Sequence, residues 1–514
     1  MKKDPQKYLG YIDTLNSIGI ALSAEKDYSR LLEKILTSAM DLTHADGGTL
    51  YLVSKKNHLN FEIFANRTLK IKPKNVSKDV VPIKPIPLYG TDGAPNLKNI
   101  ASYCVIKNQT VNIADAYQTE SFDFSGMRAA DKKLGYHSKS FLTIPLRNHE
   151  NQTIAVLQLI NAMDEQTTTI IPFSEECIHL AESLASQAAI ALTQQALLQA
   201  QKELFEALIQ MIAKTIDAKS KYTSNHCSRV PVLALMLAEA ANNSNSGIFK
   251  DFQLTADQFE ELRVGAWLHD CGKLATPEYV VDKATKLSAL SDRIEVIELR
   301  IEILKRDLQI AELKKKTPIA ETMQTLTDAL QFLKKINHGG EFLSKAEQEK
   351  IRALAKYYYY IDGKKYALLS EQDVVNLCIT RGTLNDEERA IINNHVTVTQ
   401  KMLAALPYPE YLKNVPEIAG NHHERMDGKG YPNGLRGDQM LLQSRMVAIA
   451  DVFEALTAAD RPYKAAKPLS EVLNIMNTMK ENGHIDPDLF ELFIREGLHI
   501  AYAKEFLRPE QIDV

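Results

Sequence analysis

Val264-Gly265-Ala266-Trp267-Leu268-His269-Asp270-Cys271-Gly272-Lys273 is the run that decides how the C-terminal half of the chain is read. Apolar and small residues lead into a histidine–aspartate pair, as expected where a buried helix reaches a pocket. Neighbouring helical residues diverge by about 100°, so His269 and Asp270 can serve two ions, with the two-oxygen carboxylate as the bridge. Lys273 follows His269 by one turn on the same face, where its ammonium can meet a phosphate oxygen. A lone His-Asp pair arises often by chance. It gains force from company in the same half of the chain: His226, His395, His422, His423 and Asp451. Imidazole and carboxylate donors suit iron, manganese or zinc, and the lack of paired thiolates speaks against a structural zinc site.

A second informative run is Asn421-His422-His423-Glu424-Arg425-Met426-Asp427-Gly428-Lys429-Gly430-Tyr431-Pro432. Adjacent histidines followed by a glycine-punctuated loop place ligands at a helix end, with Gly428 and Gly430 free to take positive φ. Tyr431 can pack on a base or buttress the loop.

Together these runs resemble the HD-GYP family of metal-dependent phosphodiesterases. His269-Asp270 with Gly272-Lys273 matches the HD element, and Gly430-Tyr431-Pro432 completes a His-His-Glu-x-x-Asp-Gly-x-Gly-Tyr-Pro run. Tyr222 to Val230 resembles the segment of the first histidine ligand, Arg445 to Thr457 that of the last aspartate, and Arg461-Pro462-Tyr463-Lys464 that of a basic substrate contact. The resemblance implies one metal held by His226, His269, Asp270 and Asp451, and a second held by Asp270, His395, His422 and His423. Some relatives add a third ion through a glutamate four residues before the first histidine; Tyr222 stands there, which favours two. The implied cofactor is two divalent or mixed-valence ions, iron or manganese. The implied reaction is hydrolysis of cyclic di-GMP to linear pGpG and onward to GMP, with Asp270 and Lys273 catalytic and with Lys273, Tyr431, Arg461 and Lys464 on the substrate. Two alternatives stay open: a non-hydrolysing cyclic-dinucleotide sensor, and an HD phosphohydrolase acting on cyclic GMP-AMP or another nucleotide.

The N-terminal third reads differently. Leu31, Leu32, Ile35, Leu36, Ala39 and Leu42 keep helical spacing, and Gly47 to Val53 then turns to strand, followed by strand candidates at 59–65, 110–113, 141–145 and 153–161. This α+β pattern, an antiparallel sheet with helices over 1–180, resembles a GAF sensory domain. Its Asn161-Ala162 and Phe173-Ser174-Glu175-Glu176 match only part of the Asn-Lys…Phe…Asp-Glu pattern of cyclic-nucleotide-binding relatives. Neither Pro nor Gly interrupts 174–219, so a long helix is expected, its central part, 181–204, linking the domains. Its apolar seam of Leu184, Ala188, Ala191, Leu198, Phe205, Leu208 and Ile212 suits packing on its own domains or pairing in a homodimer.

From 205 to 514 an all-α HD-type domain is expected, interrupted by an insertion over 288–380. Within it Leu287, Leu290, Ile294, Ile297, Ile301, Leu304 and Leu308 step by three and four. After Lys314-Lys315-Lys316-Thr317-Pro318 the pattern repeats through Ile319, Met323, Leu326, Leu330 and Leu333, with Thr317 as N-cap and Pro318 at the first helical position. Two matched stripes joined by a short turn predict a helical hairpin, a structural arm or a surface for a protein partner. Tyr357 to Tyr360 reads as a half-buried strand. Relatives carry Lys-Pro-Gly-x-Leu where this chain has Lys283-Ala284-Thr285-Lys286-Leu287, so the loop bordering the site is altered.

A chain of 514 residues exceeds one ordinary core, and a net charge of −4 gives no basic footprint for nucleic acid. No stretch reads as a spanning helix or secretory leader, so a cytoplasmic location without membrane insertion is expected. Five scattered cysteines read as reduced core thiols.

Overall fold

A computed structural model of the chain describes residues 5–75, 84–219, 225–245, 247–315, 320–340, 342–458 and 466–514. These divide into two compact units, residues 1–204 and 205–514.

The first unit begins with helices α1 (Pro5–Ser23) and α2 (Tyr28–Leu42), the latter capped by the Asp27 carboxylate accepting from Arg30 N. Strands β1 (Ala45–Val53), β2 (His58–Asn66), β3 (Ile71–Asn75) and β4 (Ile86–Pro87) follow. Next come α3 (Ile100–Lys107), β5 (Val111–Ile113), α4 (Ser125–Leu134), β6 (Phe141–Arg147), β7 (Thr153–Met163) and β8 (Ile170–Ile171). They form one antiparallel sheet in the order β3-β2-β1-β7-β6-β5, with β4 on β2 and β8 on β7. One face is covered by α2 and by the first part of α5 (Glu175–Lys219), through Leu32, Ile35 and Leu36 against Leu50, Leu157, Leu159 and Leu184.

The apolar seam of α5 divides: Leu184, Ala188 and Ala191 are buried in the core of the first unit and Phe205 and Ile212 pack into a core of the second, whereas Leu198 and Leu208 are exposed. Apolar residues line more than one face of this helix, so spacing alone did not separate the core stripe from the exposed one. Asn161, the first residue of the partial ligand pattern, is engaged internally. It sits at φ +56°, its Oδ1 accepts from Lys139 N (2.7 Å) and Ser140 N (3.2 Å), and its Nδ2 donates to Tyr136 Oη (3.0 Å) and His137 O (2.8 Å).

The second unit takes the end of α5, then α6 (His226–Asn243), α7 (Ala256–Leu268) and the short α8 (Glu278–Val281). The insertion contributes α9 (Ile294–Lys315), α10 (Ala320–Asn337), α11 (Lys345–Leu354), a hairpin of β9 (Tyr358–Ile361) and β10 (Lys364–Ala367), and α12 (Glu371–Leu377). It is more than a helical hairpin. Ile297, Ile301, Leu326, Leu333, Ile351, Leu354, Tyr359 and Leu377 share a core of their own. Leu290, placed in the first stripe by its spacing, is fully exposed, because α9 starts only at Ile294. Thr317 and Pro318 lie outside the described residues. Buried Asp373 fastens α12 to α9 by an ion pair with Arg293 (2.7 Å) and by accepting from Arg300 (3.1 Å).

The chain then resumes with α13 (Asp386–Ala404), α14 (Val415–Gly420), α15 (Leu442–Thr457), α16 (Leu469–Glu481), α17 (Pro487–Arg495) and α18 (Leu498–Phe506). Leu233, Leu237, Leu262, Ile418, Met446, Ile449, Phe453 and Phe493 knit α6, α7, α14, α15 and α17 together. Among the described residues no helix is long and apolar enough to cross a membrane. All five cysteines are free.

Since Asn161 uses both its acceptor lone pairs and both its donors, Asn161→Ala is expected to destabilise the first unit by about 1–3 kcal/mol. Urea denaturation checks this; a change within about 0.5 kcal/mol, typical of an inert surface site, would refute the pinning role.

Candidate metal centre

A capping box between Thr255 and Gln258 starts α7, and the helix ends at Leu268 with His269 as its cap. The chain does not continue as α-helix to Lys273: Cys271–Ala275 is a 3₁₀ turn. The tightening has a physical cause. Gly272 lies so close to α13 that a Cβ there would overlap the carbonyl oxygen of His395. Gly272 N donates to Thr399 Oγ1 (2.9 Å), which in turn donates to His269 O (3.2 Å). Lys219 Nζ donates to the carbonyls of Lys273 (3.1 Å), Leu274 (2.6 Å) and Thr276 (2.6 Å) at the end of the turn. The backbone carrying His269 and Asp270 is thereby bonded to the helix carrying His395.

Three histidines are oriented by one local device. The Nδ1 of His269, His395 and His422 each donates to the carbonyl three residues earlier, of Ala266, Ile392 and Ala419. A neutral ring so fixed presents a bare lone pair at Nε2. These lone pairs point at the Asp270 carboxylate. His395 Nε2 lies 3.2 Å and His422 Nε2 4.0 Å from its Oδ1, and His269 Nε2 lies 3.3 Å from its Oδ2. Three of the atoms, Asp270 Oδ1, His395 Nε2 and His422 Nε2, are buried with no hydrogen-bond partner. Acceptors facing acceptors in a dry site repel unless a cation lies between them.

The other side of the cluster is His226, whose Nε2 lies 3.2 Å from Asp451 Oδ1 and 3.5 Å from Asp270 Oδ2. His423 stacks beside His422 with ring centroids 4.1 Å apart and lies 5.3 Å from the His395 ring. All seven residues are therefore gathered, with donor atoms converging in three overlapping triads: His395 with His422 and His423, His226 with His269 and Asp451, and His269 with Asp270 and His422. The donor set fits a metal, since it is buried, oriented and short of hydrogens. The two oxygens of Asp270 face different triads, Oδ1 toward His395 and His422 and Oδ2 toward His226 and His269.

Electrostatics sorts these groups. Burial works against charging His226, but hydrogen bonds to Asp270, Asp451 and Glu454 outweigh it and raise its pKa well above 6.5. Burial depresses His422 and lowers His423 to about 4. Burial would also raise Asp270 and Asp451, yet Lys273 and His269 around the first, and His226 above all around the second, hold both well below the ordinary carboxylate range.

Other placements differ from expectation. Lys273 Nζ lies 2.5 Å from Asp270 Oδ2 and is paired with that carboxylate. Gly428 has φ +77°, but Gly430 does not take positive φ. Gly430 is instead required by close approach, since a Cβ there would overlap the backbone of Glu424. Tyr431 stacks on His423 at 4.9 Å, buttressing the loop. Tyr222, Arg461 and Lys464 lie outside the described residues.

Two carboxylates were passed over in the sequence. Glu454 accepts from His226 Nδ1 and lies 3.5 Å from Arg229. It stands three residues after Asp451 on α15, so the i,i+3 spacing was the available signal. Glu424 accepts from Asn433 N (2.6 Å), Gly434 N (3.1 Å) and Leu435 N (2.9 Å), pulling the loop after His423 back on itself. Nothing in its spacing marks that role.

The charge pattern gives a pH-dependent outcome. With its pKa raised, His226 is protonated at pH 7 in the metal-free protein, while His422 and His423, with theirs lowered, are neutral. A cation that takes His226 Nε2 must expel its proton, so loading at pH 7 should release about one proton per chain. Calorimetric titration in buffers of different ionisation enthalpy measures this, and heats independent of buffer would contradict it.

With that geometry in hand, comparison with known proteins is informative. Residues 27–192 match the GAF domain family and residues 371–489 match the HD domain family. The latter range contains His395, His422, His423 and Asp451; His226, His269 and Asp270 precede it. A stretch of 116 residues, 23% of the chain, is 45% identical to 26% of 3'3'-cGAMP-specific phosphodiesterase 1 of Vibrio cholerae. Over 114 residues, 22% of the chain, it is 38% identical to 26% of a cyclic di-GMP phosphodiesterase of Pseudomonas aeruginosa. The identity is 36% over 114 residues, 22% of the chain, to 30% of the cyclic di-GMP phosphodiesterase of Thermotoga maritima. The chain spans 26–30% of the length of these curated relatives. It carries a GAF domain followed by a helical HD domain.

Proposed function

We propose that the second unit hydrolyses a phosphodiester bond of a cyclic dinucleotide, with cyclic di-GMP as substrate and linear pGpG as first product. The observation that carries the reading is the convergence of five imidazoles on Asp270 and Asp451, with the two Asp270 oxygens turned to different triads. His226, His269, Asp270 and Asp451 would hold one ion, and Asp270, His395, His422 and His423 the other. Iron or manganese, divalent or mixed-valence, suits these nitrogen and oxygen donors. Ions in such a site supply Lewis acidity for phosphate and acidify water.

The chain's own residues set the stage for that chemistry. Asp270 and Asp451 stay ionised and give the pocket negative charge for cations. The Nδ1 bonds fix His226, His269, His395 and His422 before any ligand arrives, so little reorganisation is needed there. Lys273, paired with Asp270, would keep its ammonium beside the ions and could offer it to a phosphate oxygen. Arg461 and Lys464 are further candidates for phosphate charge, and Tyr431 holds His423 in place.

A second reading is favoured by the 45% identity to a protein named for 3'3'-cGAMP. Hydrolysis of cyclic di-GMP and 3'3'-cGAMP side by side decides between them. The expected outcome is preferential cleavage of cyclic di-GMP, with His269→Ala lowering turnover by at least about 100-fold, as loss of a metal ligand should. Equal turnover in the variant would remove the site assignment. Tight binding of either dinucleotide without cleavage by the metal-loaded protein would make it a sensor instead.

A homodimer through α5 is part of the same proposal, on a different stripe from the buried seam. Ile190, Leu197, Leu204 and Met211 are spaced by seven and are 66%, 63%, 62% and 56% exposed. A strict heptad repeat of exposed apolar residues suits a partner helix of the same period. Light scattering should find a dimer, and Leu197→Glu with Leu204→Glu should give a monomer. A monomeric parent, or an unaltered dimer, would remove the proposal.

A further inference from the structure

The insertion leaves the chain after Lys283 and returns at Thr383, so it separates His269 and Asp270 from His395. Its root is tightly fastened. Lys286 N donates to Asn337 O (2.8 Å), Leu287 N donates to Asn337 Oδ1 (2.9 Å), and Lys286 Nζ donates to the carbonyls of Leu377 (3.2 Å) and Ile379 (2.7 Å). The neck beyond that root is held to the start of α13 by Lys283, with Asn385 Nδ2 also donating to Asn376 Oδ1 of α12 (3.0 Å). Lys283 Nζ, on a side chain only 1% exposed, donates to both Oε1 and Oε2 of Glu388 at 2.7 Å, and Lys283 O accepts from Thr383 Oγ1 at 2.9 Å.

Glu388 lies in the first turn of α13, seven residues and about two turns before His395 on the same face. Its carboxylate has a second task, accepting from Asn385 N (2.9 Å) in the capping box that starts the helix. Apolar residues in place of both Lys283 and Glu388 would cost the fold little, since a buried ion pair rarely adds net stability, whereas replacing one alone strands the charge of the other. What such a pair adds is a fixed orientation.

We propose that Lys283 and Glu388 form a positioning clasp, through which the placement of the inserted domain sets the placement of His395 and hence the affinity of the ion that His395 helps to hold. Neither residue touches the reacting atoms. The proposal rests on the two-ion reading of the site.

The test is titration of metal-free, full-length protein with Co²⁺, followed by its visible absorption. The parent should take up two Co²⁺ ions. Lys283→Met keeps the length and the apolar stem and leaves the Asn385–Glu388 capping box in place. It should weaken one of the two ions roughly 10–100-fold, the range for loss of an outer-shell partner, and leave the other within twofold. The ion centred on His226 thus serves as an internal reference that a general loss of fold would not spare. Two ions with unchanged affinities, or equal weakening of both, overturn the clasp alone. A parent that binds fewer than two ions overturns the site reading and the clasp with it. Should Lys283→Met fail to fold, Thr383→Val removes the strap on the Lys283 carbonyl without stranding a charge. The same single ion should then weaken, and two unchanged ions overturn the proposal.

Discussion

The arrangement of the second unit turns on one carboxylate, that of Asp270, kept ionised in a buried position. Its two oxygens face imidazole nitrogens whose protons are committed elsewhere, to the carbonyls of Ala266, Ile392 and Ala419. A buried acceptor surrounded by acceptors is among the costliest arrangements a fold can hold. Lys273 and His226, both near its Oδ2, give it compensating charge from the protein itself. The surroundings explain how the arrangement persists. Gly272 seats the following turn on α13, Thr399 bonds both sides of that seam, and Lys219 donates to carbonyls at the end of the turn. The strain is held by backbone, and the side chains are left aimed at a common point.

Much of this was legible in the residues. His269-Asp270 after an apolar helix, paired histidines before a glycine loop and Asp451 on an apolar helix each carry a local signal, and the resemblance to a family motif named them as ligands. The strands of the first unit were legible for the same reason, since alternation and turn residues are local. Roles that depend on distant partners were not. Glu454 meets His226 across 228 positions, and Lys283 meets Glu388 across 105, separations that no periodicity records. Gly430 was read as a conformational hinge when its use is close approach, which depends on where Glu424 lies.

The long helix shows a different limit. Over 45 residues α5 carries apolar side chains on more than one face. A period of 3.6 describes a helix lying on its own core, and a period of 3.5 describes one that winds around a partner. Ile190, Leu197, Leu204 and Met211 keep the second and stay exposed, while Leu184, Ala188 and Ala191, also within one seven-residue step, are buried. The two stripes interleave in sequence, and only burial tells them apart.

The insertion poses the sharper physical question, since roughly ninety residues stand between ligands of one centre. Loop closure grows only logarithmically with length, so the entropy of the interruption is modest. The difficulty is precision, because metal ligands tolerate displacements of a few tenths of an ångström. A folded insertion with its own core moves as a body and would transmit that motion to α13 unless its two ends were joined. Thr383 bonded to the Lys283 carbonyl, and the Lys283 ammonium held by both Glu388 oxygens, join them at the base of the ligand helix. A neck of that kind lets a large domain be carried in the middle of a metal site, and it makes His395 the ligand most directly exposed to whatever that domain binds.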